Sequence, residues 1–150
     1  MRFFTELFQN KTLFCVSTAW FVAQAIKILI QGIRDKDWSF RYFFNSGGMP
    51  SSHSASVAAL AVMVGYYEGY DSSIFAATVL FMFVVMYDAA GVRLETGRQG
   101  KALNSLADFF KLEDELIPAK GLKEQVGHSP LQVFAGGLLG VLCAVFFIIV

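Results

Sequence analysis

Long apolar runs separated by short polar breaks organise this chain, and their lengths predict helices that cross a membrane. Leu13 to Ile33 is a predominantly apolar run of 21 residues, roughly 30 Å as a helix and enough to traverse the hydrocarbon core of a bilayer. A second run, Ser54 to Tyr67, is rich in Ala, Ser and Val, small residues that let membrane helices approach closely. Its fourteen residues are short for a span, so its helix is expected to begin within the polar string before it. Ile74 to Val92, dense in Phe, Met and Val, is the third run, and Leu131 to Val150 is the fourth. The pattern predicts an all-α integral membrane bundle of about four transmembrane helices. The expected spans are approximately 13–33, 53–68, 73–93 and 130–150, within a single membrane domain over residues 1–150.

The ends and breaks add detail. Residues 1–12 mix Phe3, Phe4, Leu7 and Phe8 with Arg2, Glu6 and Lys11, as a short interfacial amphipathic helix does. Thr96 to Lys111 is expected to carry the third helix out of the membrane. Ala23-Gln24-Ala25 has the form of a leader cleavage site, but the apolar run continues past it and the charged segment before it is weak, so a span is the better reading. Gly136 and Gly140 make a small-xxx-small face that packs against another helix of the bundle or against a second copy in a homodimer.

Composition agrees with the pattern. The residues are 55% apolar with 16 Phe, and the mean hydropathy is +0.53, high for a soluble domain. The formal net charge is zero, so no global field points to nucleic acid as a partner. Cys15 and Cys143 lie inside apolar runs and give no sign of a disulfide. Charge placement is more informative. Four spans put 34–53 and 93–129 on one side, with Arg34, Lys36, Arg41, Arg93, Arg98, Lys101, Lys111, Lys120 and Lys123; the other side has Arg2 and Lys11. The positive-inside rule then places the long loops in the cytoplasm and both termini outside, in a multi-pass membrane protein.

Polar residues inside the apolar runs mark the candidate chemistry. Gln24, Lys27, Gln31 and Arg34 follow at spacings of 3, 4 and 3, which sets them on one helical stripe. Such groups are costly facing lipid, so the stripe should face protein or a water-filled site. Asp88 is an aspartate in an apolar run: a functional group, or a structural ion pair with Lys27 or an arginine. The string Gly47-Gly48-Met49-Pro50-Ser51-Ser52-His53-Ser54 leads directly into the second helix. A helix start offers unpaired N–H groups and partial positive charge, suited to a phosphate; the plainer reading is a turn with serine caps. His128, in Gly127-His128-Ser129-Pro130-Leu131-Gln132, begins the fourth helix at the same predicted face. Two imidazoles with Lys27, Arg34, Arg93 and Asp88 have what phosphoryl transfer needs: cations for the nonbridging oxygens, a nucleophile and an acid. A zinc site would need more ligands at tighter spacing, so neither metal nor other cofactor is expected.

The order Lys27, Arg34, Pro50-Ser51-Ser52-His53, His128 resembles the type 2 phosphatidic acid phosphatases, whose motifs are K-x6-R-P, P-S-G-H and S-R-x5-H-x3-D. The chain resembles most closely a divergent branch of small bacterial and plant membrane proteins, which carry G-G-M-P-S-S-H-S-A, then Y-D-A-x-G-V-R, then G-H-x-P-x-E-V. The resemblance implies that Lys27, Arg34, Ser51 and Ser52 bind phosphate, that His53 is the general acid, and that His128 is the nucleophile forming a phosphohistidine. Asp35 stands where those motifs have proline, Ser52 where they have glycine, and Leu122 where they have arginine, with Lys123 or Arg93 as substitutes. Gln132 stands where an aspartate orients the nucleophile, and Asp88 is a candidate for the missing charge. The implied activity is hydrolysis of a membrane lipid phosphate or pyrophosphate at the cytoplasmic face. The alternatives are a non-catalytic binder or transporter of lipid phosphates, a scaffold without ligand, and a CDP-alcohol-type phosphotransferase. The last is faintly suggested by Asp88-x2-Gly91-x-Arg93 but short of aspartates for a divalent ion.

Overall fold

The computed structural model describes residues 2–36, 47–110, 121–122 and 127–150, apart from the side chains of Phe3 and Asp35. These residues form six helices: α1 (Arg2–Gln9), α2 (Lys11–Asp35), α3 (Ser52–Glu68), α4 (Ser73–Ala90), α5 (Val92–Phe110) and α6 (Pro130–Ile149). No strand is present among the described residues. The protein is an all-α membrane bundle.

Polar caps, more than the apolar runs, set the helix ends. Asn10 separates α1 from α2, its side chain accepting the Leu13 N–H, so α2 starts two residues before its apolar run does. Ser51, Ser72 and Ser129 each cap the helix that follows by accepting an N–H three residues on. Each cap satisfies a donor that a helix start leaves without an intrahelical partner. α3 therefore begins inside the polar string, at Ser52. α4 ends at Ala90, where the Gly91 N–H reaches the Tyr87 carbonyl and helix resumes at once as α5.

α3 is the central element, packed against α6, α2 and α4, while α2 also meets α6. Gly48 lies against Lys27 and Gln31 of α2, whereas Cys15 of α2 joins Met63 of α3 in the core. α2 and α3 therefore run antiparallel. Gly65 against Phe75 makes α3 and α4 antiparallel in the same way, and Gly136 on Ser51 with Gly140 on Ala55 makes α3 and α6 parallel. One end of the bundle thus gathers the C-terminal turns of α2 and α4 with the N-terminal turns of α3 and α6.

The core is built from small side chains: Cys15, Ala19 and Ala23 of α2, Ala55, Ala59 and Met63 of α3, and Ala144 of α6. Spacings of four stack each set on one helix face. The outer faces are the reverse of a soluble protein's. Phe81, Phe83, Phe134 and Phe146 are all more than half exposed, a continuous apolar exterior suited to lipid. Among the described residues, three helical stretches are long and apolar enough to cross a membrane: Lys11–Arg34, Ser73–Phe110 and Pro130–Ile149. α3, of 17 residues, is shorter and runs between them as the fourth member of the bundle.

Gly136 and Gly140 are used inside the chain. A Cβ at Gly136 would run into the backbone carbonyl of Ser51, the cap of α3, and one at Gly140 into that of Ala55 within α3. Of the two roles open to this face, the structure assigns it the one within the bundle. Replacing Gly140 by leucine is expected to push α6 off α3 and cost at least ~1–3 kcal/mol, the range for overpacked cores. A lower unfolding midpoint in detergent would register the loss; an unchanged midpoint would deny the contact.

Candidate functional site

At the gathered end, the polar string folds back onto two other elements. Gly48 adopts a positive φ of 97° and rests on α2, where a Cβ would meet Gln31 Nε2 at 2.9 Å and Lys27 Cγ at 3.2 Å. Ser51 is fully buried. Its hydroxyl accepts the Ser54 N–H at 3.3 Å, and its own N–H donates to the Gln132 carbonyl of α6 at 3.0 Å. Ser51 thus joins two helix starts. Ser52 is buried as well, and its carbonyl accepts from the Ser56 hydroxyl. The N–H groups of Ser52 and His53 lie in the first turn of α3, where no intrahelical acceptor exists.

His128 is clamped from both sides. Its N–H donates to the Ala89 carbonyl at the end of α4 at 2.9 Å. Gly127, also at positive φ, packs against the backbone of Arg93 and Leu94 so closely that a Cβ could not fit. The ring is 1% exposed. Its Nδ1 lies 3.1 Å from the Gly48 carbonyl and 3.3 Å from Gln132 Oε1. Gln132 Oε1 also accepts the Ser129 N–H at 3.1 Å, completing a capping box. The ring of His53 stands nearby, with centroids 6.1 Å apart and planes inclined by 63°. His128 Nε2 and His53 Nδ1 are both buried without a hydrogen-bond partner among the described residues. Buried polar atoms are ordinarily paired, so these two stand out from the rest of the bundle.

Charge surrounds the pair. Lys27 is 1% exposed, and its charge reaches both rings. Arg93 acts on His53 and is itself held by Asp88, Nε to Oδ2 at 2.6 Å. Asp88 is therefore in an ion pair with an arginine, one of the two roles its position allows. Arg34 lies two turns beyond Lys27 at the exposed end of α2. The structure thus brings Lys27, Ser51, Ser52, His53, His128 and Gln132 together, with Arg93 and Asp88 alongside. Of the two candidate substitutes for the motif arginine, Lys123 lies outside the described residues and Arg93 stands beside His53. The described residues contain no group of three or more His, Cys, Asp or Glu side chains arranged for a metal ion.

Two features escaped the sequence reading. The Gly48 carbonyl contact to His128 joins residues 80 positions apart, and no periodicity announces such a backbone acceptor. The Asn104 side chain of α5 accepts the Leu122 N–H at 2.8 Å and donates to the Leu122 carbonyl at 2.9 Å, tying Leu122 to α5. A lone asparagine in an amphipathic helix carries no signal for that role.

Burial, then the Lys27 charge, holds the His128 imidazole below its ordinary value of 6.5, against the opposing pull of its Gln132 and Gly48 acceptors. The unfolded chain takes up this proton near pH 6.5 and the folded chain only at lower pH. Between those values the unfolded state binds more protons, so stability is full above pH 6.5 and declines as pH falls through the window. Unfolding midpoints measured from pH 7.5 to 5.5 are expected to drop more for the wild type than for His128→Asn; parallel slopes would contradict the assignment.

Comparison with known proteins supplies the context for this geometry. Residues 8–143 match the model of the family described as the Divergent PAP2 family. A curated relative, the "Uncharacterized membrane protein YuiD" of Bacillus subtilis (strain 168), is 43% identical over 149 residues, covering 91% of this chain and 93% of the relative. No solved structure matches the chain.

Proposed function

The chain belongs to the Divergent PAP2 family, and from that premise we propose that it is a membrane phosphatase that hydrolyses a lipid phosphate or pyrophosphate through a phosphohistidine on His128. The observation that carries this reading is the pair of imidazoles, 6.1 Å apart between centroids, each with a buried ring nitrogen that has no hydrogen-bond partner among the described residues. One tetrahedral phosphoryl group between them could meet both.

In this reading the Lys27 ammonium and the first N–H groups of α3 neutralise the nonbridging oxygens. Ser52 contributes donors at the same helix start, while Ser51 acts mainly by tying α3 to α6. Arg34 meets the phosphate from the end of α2. His128 Nε2 attacks phosphorus, and the new N–P bond forms as the bond to the leaving oxygen breaks. The electron pair leaves on that oxygen, which takes a proton from His53. Water, giving a proton to His53, then attacks phosphorus; the N–P bond breaks, its electron pair returns to His128 Nε2, and phosphate is released. Asp88 is a positioning residue that holds Arg93 beside His53.

The bundle sits in a bilayer, its single domain crossing four times. The basic residues of 34–53 and 93–129 favour an arrangement with these loops, and hence the site, at the cytoplasmic face of a bacterial cell membrane and both termini outside. Phosphate release from lipid monophosphates and diphosphates by the purified protein in detergent tests the reading. Steady release above a protein-free control is expected; binding without release would favour a second reading.

That second reading is a non-catalytic binder or transporter of lipid phosphates, and Gln132 is the observation that favours it. An amide accepts the ring N–H but stabilises an imidazolium less than a carboxylate does. The anion seat itself does not need that stabilisation.

A further inference from the structure

We propose that the backbone carbonyl of Gly48 is a positioning group for His128, sharing the Nδ1 proton with the Gln132 amide and so fixing the ring's lone pair on the buried Nε2. Both neighbours of Nδ1 are acceptors. A carbonyl oxygen can only accept, and it lies at 3.1 Å. The Gln132 amide is pinned because its oxygen also receives the Ser129 N–H at 3.1 Å; turning it over would set an NH₂ group against that N–H. Nδ1 must therefore carry the hydrogen, and in a neutral imidazole Nε2 is then the acceptor.

The glycine is what makes this contact. At a φ of 97°, and without a Cβ that would press on Gln31 and Lys27, Gly48 lies flat on α2 and turns its carbonyl towards α6. The polar string thus has a second role besides opening α3: it supplies half of the orientation that a single carboxylate gives in the motif this chain resembles. Two neutral acceptors replace one charged one. Loss of either leaves the other in place, which a single-carboxylate arrangement does not allow. The tautomer stands independently of turnover, whereas its use as a nucleophile rests on the phosphatase reading above.

The test uses the full chain in detergent micelles with ¹⁵N-labelled histidine, where only two imidazoles contribute signals. At pH 8, His128 is expected to show a protonated Nδ1 and an unprotonated Nε2. Gln132→Met, which keeps side-chain length but removes the acceptor, should leave that pattern unchanged because Gly48 still holds the proton; Gln132→Ala provides the same test should methionine disturb the fold. Phosphate release should fall by about 10-fold or less in these variants, the size of one neutral hydrogen bond. A switch to Nε2–H, or averaging between tautomers, would overturn the role of Gly48. The expected tautomer in a protein that releases no phosphate would uphold the positioning role and refute the phosphatase reading instead.

Discussion

Replacing His128 by asparagine is expected to lower phosphate release from a lipid phosphate by on the order of 10⁴-fold, the scale seen when a member of a nucleophile–base set is disabled. Asparagine removes the attacking nitrogen but keeps an N–H donor at the distance where Nδ1 meets Gly48 and Gln132. The bundle should therefore still fold, and a matching unfolding midpoint above pH 6.5 would show that it does. Unchanged release from the variant would remove His128 from the chemistry. The effect should fall on kcat, because the bond to phosphorus is made after the lipid is seated.

The second large effect belongs to Lys27. Its ammonium, 1% exposed and near both imidazoles, is the deepest cation of the site. Lys27→Met keeps most of the buried stem beneath Gly48 and deletes the charge. A charge-assisted hydrogen bond contributes ~1.5–3 kcal/mol, so inorganic phosphate should bind roughly 10- to 100-fold more weakly. Calorimetric titration with phosphate would measure this for an enzyme and for a binder alike. Arg34→Ala, at the exposed end of the same stripe, should have a smaller effect, since exposed charges are screened by water and salt. Equal losses at the two positions would contradict the view that Lys27 is the inner contact.

Much of this architecture is legible from the residues. The 3–4–3 spacing of Gln24, Lys27, Gln31 and Arg34 marks a buried polar stripe, and the structure buries Gln24 and Lys27 while exposing Arg34. The small residues of α3 announce a helix surrounded by others, because alanine and glycine let backbones meet where leucine would hold them apart. Helix boundaries are less legible, since they depend on single hydrogen bonds. Asn10 caps α2 ahead of its apolar run, and Gly91 ends α4 before the apolar run reaches Val92. The least legible contacts join residues distant in sequence. Gln132 lacks the carboxylate of the motif this chain resembles, yet it meets His128 Nδ1 because the cap of α6 already turns its oxygen that way. Gly48 meets the same atom through a backbone carbonyl, which residue identity does not encode.

The central claim is that one phosphoryl group sits between His53 and His128. A crystal structure of the protein grown in a lipid phase with saturating phosphate tests it most directly. Tetrahedral density is expected between the two rings, within hydrogen-bond distance of His128 Nε2 and of the first N–H groups of α3. Phosphate bound elsewhere, with protein groups closing the space between the rings, would contradict it.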